Sequence, residues 1–324
     1  MAQPPTTDPV MASDVREGLT RTPKELAPKY FYDARGSELF DQITSLPEYY
    51  PSRCEREILN RRSPELTRGY EELVELGSGV ASKTRALLYA MAGAGTLRRY
   101  VPFDVDESVI SSCVEELEEA YPGLAVHGVV GDFESDLGLI PTGEQRLFAL
   151  LGGTIGNLHP PQRASFLTRV TELMGPSDGL LVGTDLVKDS STLVAAYDDS
   201  QGVTAEFNRN VLRVLNSELG ADFRPERFEH VAVFDEENSW IEMRLRSTGA
   251  QHVRVPGAGI EVDFADGEEM RTEVSTKFTR EGVEGELRDA GLVLRDFLTD
   301  EADLYGLAVA SKPAWNLIRC PPAR

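Results

Sequence analysis

The stretch that decides the fold is residues 72–83, with the sequence ELVELGSGVASK. A short, largely apolar run ends at Gly77 and Gly79, and a helical pattern begins at about Lys83. This order is typical of a buried parallel strand, a tight turn and a helix N-terminus. Glycines let a backbone approach a ligand where a Cβ would collide with it, and a helix start offers N–H groups to an anion. The stretch therefore predicts a ligand-binding loop after the first strand of an α/β sheet.

The loop by itself leaves the ligand open. A dinucleotide site has a third glycine at position 82, where this chain has Ser82. Glu75 is an unusual neighbour for a pyrophosphate and suits a cationic ligand better, such as the sulfonium and amino groups of S-adenosylmethionine. A methyl-donor site, a nicotinamide site and a purely structural turn all remain compatible with this pattern.

Composition and charge argue against several classes of partner. The 324 residues allow two domains, or one large domain with an insertion. A formal net charge of −21 disfavours nucleic acid and anionic membranes, because a phosphate surface needs a basic face. No apolar run approaches the length of a spanning helix, and the polar, proline-rich start does not resemble a secretory signal. We therefore expect the protein to bind neither nucleic acid nor a membrane. We also expect it to be cytoplasmic and monomeric.

The cysteines and histidines indicate neither a disulfide framework nor a metal site. Cys54, Cys113 and Cys320 are odd in number and far apart, which favours reduced thiols. The four histidines are scattered, and no Cys/His cluster has metal-binding spacing. We expect no metal.

From Leu73 onward the pattern alternates strand and helix, which predicts a doubly wound sheet. The second strand ends in FDVD at residues 103–106. A carboxylate at this position usually holds a ribose diol, and Asp104 lies 27 residues after Gly77. Asp104 is therefore the first choice for that role, and Asp106 is predicted to cap the following helix.

Two later strand ends carry further candidate residues. A third strand, at about 125–130, ends in Asp132 and Phe133, which either contact an adenine ring or belong to an ordinary turn. A fourth strand, 146–151, opens into GGTIGN at residues 152–157. Glycines at that edge make room for a ligand, and Asn157 offers it both a donor and an acceptor.

The segment before the first strand is rich in tyrosine. Four of the ten tyrosines are Tyr30, Tyr32, Tyr49 and Tyr50. They either pack the N-terminal arm onto the rest of the protein or form a wall of the active site with their hydroxyls.

Residues 1–12 are predicted to be disordered, and the SRCE sequence at 52–55 is predicted to be a capping box at the start of a helix.

After the fifth strand the pattern changes to helices and then to antiparallel strands. On the last of these strands a period of two places Glu273 and Ser275 on one face. This face either binds a polar ring with two nitrogens or is exposed to solvent.

We predict a substrate-binding domain from residues 13–53 and 188–277. Residues 54–187 and 278–324 are predicted to form a Rossmann-like domain.

These motifs, taken together, resemble those of one family. They are KYFYD at 29–33, LPEYYP at 46–51, ELGSG at 75–79, FDVD at 103–106, GDF at 131–133, GGTIGN at 152–157, FNRN at 207–210 and TEVS at 272–275. Over about residues 15–311 the chain resembles the bacterial histidine-specific Nα-methyltransferases, which make hercynine for ergothioneine biosynthesis. The resemblance implies a Rossmann-like methyltransferase core with an inserted α+β substrate-binding domain that contains an antiparallel sheet.

The resemblance also implies a reaction and a set of site residues. S-adenosylmethionine would be the methyl donor and L-histidine the substrate. The α-amino group of L-histidine would be trimethylated. The alternative is a related methyltransferase that acts on another amino acid or small-molecule amine. The implied donor contacts are Gly77, Lys83, Asp104, Asp132 and Phe133. The implied substrate contacts are Asn157 and Tyr197 for the carboxylate, and Tyr49, Glu273 and Ser275 for the imidazole, with Tyr32 as the catalytic residue near the reacting amine.

The chain departs from the family pattern in two places. Gly153 stands where the family pattern has serine, and we expect this change to loosen the substrate contacts of this segment. Residues 312–324 form a tail outside the pattern, to which we assign no catalytic role.

Overall fold

The computed structural model describes residues 8–79, 84–133 and 135–313. The chain divides into two compact units. The first unit comprises Met1–Tyr50 and Val187–Lys277, and the second comprises Pro51–Leu186 and Phe278–Arg324.

The elements are numbered here in chain order. The helices are α1 (Pro9–Thr20), α2 (Ala34–Thr44), α3 (Pro51–Leu66), α4 (Arg85–Gly93), α5 (Glu107–Ala120), α6 (Pro160–Leu173), α7 (Ser190–Tyr197), α8 (Val203–Leu219) and α9 (Arg280–Asp289). The strands are β1 (Lys24–Glu25), β2 (Glu72–Leu76), β3 (Arg99–Asp104), β4 (Ala125–Val126), β5 (Val129–Val130), β6 (Arg146–Leu150), β7 (Gly179–Asp185), β8 (Phe228–Asp235), β9 (Trp240–Ser247), β10 (Gln251–Val255), β11 (Ile260–Phe264), β12 (Glu269–Thr276), β13 (Val293–Thr299) and β14 (Tyr305–Ser311).

The second unit is built on a sheet whose order, over the described residues, is β13-β14-β7-β6-β2-β3-β4, with β5 also pairing with β3. Strand β2 pairs in parallel with β3 on one side and with β6 on the other, so the strand order reverses at β2. Strand β14 runs antiparallel to both of its neighbours. A reversal of this kind opens a crevice at the carboxyl ends of the strands, where ligands of such sheets bind. The predicted Rossmann-like fold class is confirmed.

The first unit contains the antiparallel strands. Its four-stranded sheet has the order β1-β12-β9-β8, and β10 and β11 form a separate hairpin. Strand β1, from the N-terminal arm, pairs in parallel with β12 and adds Lys24 beside Met270. The register of β12 against β9 shifts between Arg271 and Glu273 and is regular from Glu273 to Thr276.

Two predictions about the N-terminal segment are wrong. Helix α1 begins at Pro9, where the Asp8 side chain accepts a hydrogen bond from the N–H of Val10, so residues 9–12 are helical rather than disordered. Residues 1–7 lie outside the described residues. Helix α3 begins at Pro51, because proline suits the first turn of a helix, and residues 52–55 therefore lie inside it and form no capping box.

The described cysteines are free thiols, as predicted. Cys54 and Cys113 are both buried. Burial, as the main cause, raises the pKa of Cys54 to about 12 and that of Cys113 to about 11, so both remain protonated at neutral pH. Cys320 lies outside the described residues.

Within the described part of the chain, no helix combines the length and apolar character that a membrane-spanning helix needs.

A buried ion pair ties the start of β6 to the loop before β7. Asp178 accepts from the Nη2 of Arg146 at 2.8 Å, from its Nε at 3.0 Å and from its backbone N–H at 2.8 Å. Both residues are almost fully buried. Loss of one partner would leave the other charge inside the protein, which is more costly than the loss of an exposed pair.

We expect Asp178→Ala to lower the free energy of unfolding by about 3–5 kcal/mol, because Arg146 would be left charged and buried. The matched control is Glu65→Ala, which removes an exposed partner of Arg62 in α3 and should cost at most about 1 kcal/mol. Urea unfolding followed by circular dichroism measures both. Similar losses in the two variants would contradict a special role for the buried pair.

Candidate functional site

In the second unit, the predicted ligand loop follows β2, where the strand order reverses. Gly77 and Gly79 have φ angles of 75° and 47°, in the left-handed region that favours glycine. The N–H of Gly77 donates to the carbonyl of Phe103 at 2.8 Å. A Cβ on Gly77 would lie 3.3 Å from the ring of Phe133. The left-handed backbone therefore favours glycine at position 77, and a Cβ there would press against the Phe133 ring.

Asp104 ends β3 and reaches the same loop. Its Oδ2 accepts from the N–H of Gly79 at 2.9 Å, and its Oδ1 accepts from the N–H of Asp106 at 3.2 Å. Burial raises the pKa of Asp104 above its ordinary value, and the hydrogen bond from Gly79 opposes the shift. Asp106 caps α5 through the N–H of Ser108, as predicted. The Asp104 carboxylate thus supports the glycine loop and, with several lone pairs, can accept further hydrogen bonds.

Asp132 and Phe133 follow β5, which places them beside Asp104. Strand β5 pairs in parallel with β3, with Val130 opposite Asp104. The ring of Phe133 stacks on that of Phe103, with centroids 5.6 Å apart and planes 15° apart. Four predicted donor contacts therefore lie at one edge of the sheet: Gly77, Asp104, Asp132 and Phe133. The fifth, Lys83, lies outside the described residues.

Glu75, just before the glycine loop, takes part in buried hydrogen bonds. Its side chain is buried, and its carboxylate accepts hydrogen bonds from the hydroxyls of Thr84 and Tyr100. These hydroxyls hold the Glu75 carboxylate next to the glycine loop, and its suitability for a cationic ligand stays a prediction. Glu75 lies within β2, and its side chain meets that of Tyr100 on the paired strand β3.

A buried contact that no sequence motif predicts supports the segment at 152–157. Both carboxylate oxygens of Glu55 accept from the N–H of Gly152, at 2.8 and 2.9 Å, and the hydroxyl of Tyr305 donates to Glu55 at 2.9 Å. A Cβ on Gly183 would collide with both side chains, so a glycine in β7 makes room for them. Glu55 is 97 residues from Gly152 in the chain, and no local pattern signals their contact.

This contact positions the turn that leads to Asn157. Gly152 and Gly153 have φ angles of 79° and 72°, and a short 3₁₀ helix, Thr154–Asn157, follows them. A Cβ on Gly153 would lie 3.6 Å from the Tyr305 hydroxyl, an ordinary contact, but the left-handed backbone favours glycine there. The backbone conformation therefore accounts for glycine at position 153 in this chain.

In the first unit, three of the predicted tyrosines lie in one aromatic row. The ring of Phe40 contacts Tyr32 and Tyr49 with centroids 5.7 and 6.2 Å apart, and Tyr49 contacts Tyr197 at 6.3 Å. Tyr49 and Tyr197 are buried, whereas Tyr32 is 38% exposed. Tyr30 instead donates to Asp14 of α1 at 2.7 Å and so packs the N-terminal arm.

The row ends at a cluster of hydrogen bonds on β12. The hydroxyls of Tyr197 and Ser275 are 2.7 Å apart, and the Nζ of Lys277 donates to Tyr197 at 3.0 Å and to Ser275 at 2.9 Å. Glu273 is 9% exposed and Ser275 is 5% exposed, so the interpretation of their face as solvated is wrong. Lys277 was missed, although it continues the alternation of Glu273 and Ser275.

The motif FNRN at 207–210 holds the surroundings of this cluster in place. The Asn208 amide donates to Nδ1 of His230 at 2.8 Å, which leaves the ring proton on Nε2 to donate to the Tyr197 carbonyl at 2.7 Å. Burial lowers the pKa of His230, which favours its neutral form. The Asn210 amide donates to Asp33 at 2.7 Å, and Asp33 caps α2. The motif therefore supports both Tyr197 and the helix that carries Phe40.

In the part of the chain that the structure describes, no three His, Cys, Asp or Glu side chains group closely enough to hold a metal ion.

Comparison with known proteins identifies the family. The model of the family described as "Histidine-specific methyltransferase, SAM-dependent" matches residues 11–312. A histidine N-alpha-methyltransferase of Mycolicibacterium smegmatis is 56% identical over 299 residues, which cover 92% of this chain and 93% of that protein. One of Mycobacterium tuberculosis is 55% identical over 301 residues, 92% of this chain and 94% of the relative. An "Ergothioneine biosynthesis protein 1" of Neurospora crassa is 31% identical over 205 residues, 61% of this chain and 23% of that protein. The chain belongs to the family of histidine-specific, S-adenosylmethionine-dependent methyltransferases.

Proposed function

We propose that the protein transfers three methyl groups from S-adenosylmethionine to the α-amino nitrogen of L-histidine and so makes hercynine, a step of ergothioneine biosynthesis. The observation that carries the proposal is the 56% identity, across 92% of this chain, to a protein named histidine N-alpha-methyltransferase. The similarity to fungal proteins named for ergothioneine biosynthesis supports the assignment to that pathway.

Methyl transfer requires alignment of the two reactants more than chemical activation of either one. A neutral amine attacks the methyl carbon of the sulfonium in line; the C–N bond forms as the C–S bond breaks, and the donor leaves as a thioether. The enzyme contributes chiefly by holding the two reactants in this geometry in a site that excludes water. Tyr32 is the proposed catalytic residue near the amine, which must lose a proton before each transfer. Aromatic faces also attract the trimethylammonium product.

The proposed donor contacts belong to the second unit. Asp104 would accept hydrogen bonds from the ribose hydroxyls, Asp132 would accept one from the adenine amino group, and Phe133 would pack against the adenine ring. Gly77 would let the backbone approach the donor. The convergence of these residues at the carboxyl edge of β2, β3 and β5 supports the assignment. A donor contact at Lys83 remains a prediction.

The proposed substrate contacts combine a ring-binding and a carboxylate-binding group. In the first unit, Glu273, Ser275 and Tyr49 would bind the imidazole, and Tyr197 would bind the carboxylate. The burial of Glu273 and Ser275 supports these roles, because hydrogen bonds to a ligand are stronger away from water. A carboxylate contact at Asn157 remains a prediction.

We also propose which segments of the chain bind each reactant. Residues 13–53 and 188–277 would bind the substrate, and residues 54–187 and 278–324 would bind the donor. We further propose a cytoplasmic monomer that uses no metal and has no nucleic-acid or membrane partner. The net charge of −21 supports the proposed absence of a nucleic-acid or anionic-membrane partner.

Mass spectrometry of L-histidine incubated with the enzyme and S-adenosylmethionine tests the proposed reaction. The expected result is the successive appearance of mono-, di- and trimethylated histidine. Absence of methylated histidine, with methylation of another amino acid or amine in the same assay, would assign a different substrate.

We expect Asp104→Asn to weaken S-adenosylmethionine binding by about 10- to 100-fold, because a charge-assisted hydrogen bond contributes about 1.5–3 kcal/mol. Affinity for L-histidine should stay unchanged. Since burial raises the pKa of Asp104, wild-type donor affinity should fall with decreasing pH earlier than for an exposed aspartate, and this fall should be absent in the variant. Calorimetric titrations that show equal losses for both ligands would contradict the ribose assignment.

A pair of glycine variants separates backbone strain from ligand binding. Gly77 and Gly69 both have positive φ angles, of 75° and 86°, but a Cβ on Gly69 would have no neighbour within 4 Å. Gly77→Ala and Gly69→Ala should each lower stability by about 1–2 kcal/mol. We expect Gly77→Ala alone to weaken donor binding, by about tenfold or more. Equal donor affinity in the two variants would argue against a ligand at this loop.

We expect Glu273→Ala to weaken L-histidine binding by about 10- to 100-fold, because the imidazole N–H would be left without its acceptor. Discrimination against phenylalanine should also fall, since an apolar ring would no longer be placed against a carboxylate to which it cannot donate a hydrogen bond. The control is Glu269→Ala on the same strand, whose carboxylate binds Arg244 and Arg246. Activity on both amino acids measures the effect, and an unchanged preference in Glu273→Ala would place imidazole recognition elsewhere.

A further inference from the structure

Strand β12 contains a β-bulge immediately before the proposed imidazole contacts. Up to Arg271 each residue of β12 pairs with one residue of β9, and Arg271 lies opposite Arg244. Pairing then resumes one step further along β9, with Glu273 opposite Met243, so Thr272 is an extra residue on β12. A bulge changes the face of the sheet on which the following side chains lie. Here the side chain that follows is that of Glu273.

The two faces of this sheet differ in chemical character. One face of β9 carries charged side chains, which are those of Glu242, Arg244 and Arg246. The other face carries buried apolar side chains, which are those of Ile241, Met243 and Leu245. Residues directly opposite each other in an antiparallel pair lie on the same face. Arg271 therefore lies on the charged face, whereas Glu273 lies on the apolar face.

The same strand without a bulge would present its residues on the opposite faces. Continued alternation from Arg271 would place Glu273 opposite Glu242, on the charged face, and Ser275 would follow it there. Two carboxylates would then lie directly opposite each other, which is unfavourable. The bulge therefore decides that Glu273 and Ser275 lie on the apolar face, where the hydroxyl of Tyr197 contacts Ser275.

Thr272 holds the bulge against helix α8. Its side chain is fully buried, and its hydroxyl donates to Oδ1 of Asn208 at 2.7 Å. The carbonyl oxygen of Met243, which lies opposite the bulge, is 3.0 Å from the same hydroxyl. Asn208 is also fully buried, and its amide nitrogen donates to His230 and to the carbonyl of Arg244. Removal of the Thr272 hydroxyl would take a donor away from a buried amide oxygen, so this bond favours the bulged register.

On the charged face, Arg271 anchors the strand immediately before the bulge. Its Nη1 donates to Glu242 at 2.9 Å, and its Nη2 donates to Glu25 of β1 at 2.9 Å. Two successive residues, Arg271 and Thr272, therefore hold β12 from opposite faces of the sheet. This arrangement fixes the register at the point where a slip of one residue would turn Glu273 to the other face.

We propose that Thr272 determines substrate specificity as a positioning residue, because its hydroxyl holds the bulge that turns Glu273 toward the imidazole of the substrate. The inference rests on the proposed function and adds to it a residue that does not contact the substrate. Thr272 acts through Glu273: hydrogen bonds depend steeply on distance and angle, so a small shift of this segment weakens recognition of the ring.

A double-mutant cycle of Thr272→Val and Glu273→Ala tests the proposal. Valine keeps the branched shape of threonine and removes the hydroxyl. We expect Thr272→Val to lower the preference for L-histidine over phenylalanine, measured as the ratio of kcat/KM values, by about tenfold, mainly through KM for L-histidine. In the Glu273→Ala background the same change should leave this ratio unaltered, because the group that Thr272 positions is absent. Independent losses in the two backgrounds, or an unchanged ratio in Thr272→Val, would overturn the proposal.

Thr184→Val is the matched control for the loss of a buried hydroxyl. Thr184 lies in β7 of the second unit, is almost fully buried, and donates to the carbonyl of Gly306 at 3.1 Å. Both valine variants should lower the midpoint of thermal unfolding, but Thr184→Val should keep the wild-type ratio of kcat/KM values. An equal fall of the ratio in Thr184→Val would assign the effect to lost stability and overturn the role of Thr272.

Two further variants of Thr272 separate its hydroxyl from its packing. Thr272→Ser keeps the hydroxyl and should retain the preference for L-histidine, and loss of the preference in this variant would contradict a role through the hydroxyl. Thr272→Cys serves if Thr272→Val does not fold, because its S–H is a weaker donor on a side chain of similar size. It should lower the ratio by about threefold, and an unchanged ratio would overturn the proposal.

The same assays keep this inference separate from the proposed function. Affinity for S-adenosylhomocysteine should stay at the wild-type value in every Thr272 variant, and a fall equal to that for L-histidine would assign Thr272 a general structural role. Absence of L-histidine methylation by wild-type enzyme would contradict the proposed function and this inference with it. Methylation by wild-type enzyme together with independent losses in the cycle would overturn the role of Thr272 alone.

Discussion

Parallel pairing of β2 with β3 on one side and with β6 on the other is the constraint on which the second unit depends. It brings the carboxyl ends of these strands to one edge, and the loops that follow must meet there. Two contacts connect these loops: the N–H of Gly79 donates to Asp104, and Gly77 lies close to the ring of Phe133. Residues from separate loops thereby form one surface.

In the first unit the corresponding constraint is that buried polar groups need hydrogen-bonding partners. Asn208 is fully buried, donates to His230 and to the carbonyl of Arg244, and accepts from the hydroxyl of Thr272. Each of these bonds ties helix α8 to a different strand of the sheet. Because a buried amide without partners is costly, this set of bonds selects one packing of the helix. The carbonyl of Tyr197 is held through His230 as part of the same network.

Both units use a buried side chain to support a segment that carries a proposed contact. Glu55 binds the N–H of Gly152 ahead of Asn157, and His230 binds the carbonyl of Tyr197. Neither supporting residue is among the proposed ligand contacts. Such support matters for a methyl transfer, because the reaction depends on the alignment of amine, methyl carbon and sulfur rather than on a strong acid or base. The roles proposed for the contacts themselves stay predictions.

Sequence alone determined the features that depend on neighbouring residues: the glycine turn at Gly77, the helix cap at Asp106 and the shared face of Glu273 and Ser275. Strand period, turn conformation and capping are local, so a short pattern is enough to predict them. Only the tertiary structure decided that Glu55 binds Gly152 and Tyr305, which are 97 and 250 residues away, and that the hydroxyls of Thr84 and Tyr100 donate to Glu75. Long-range contacts follow from how elements pack, and packing depends on the whole chain rather than on any one stretch.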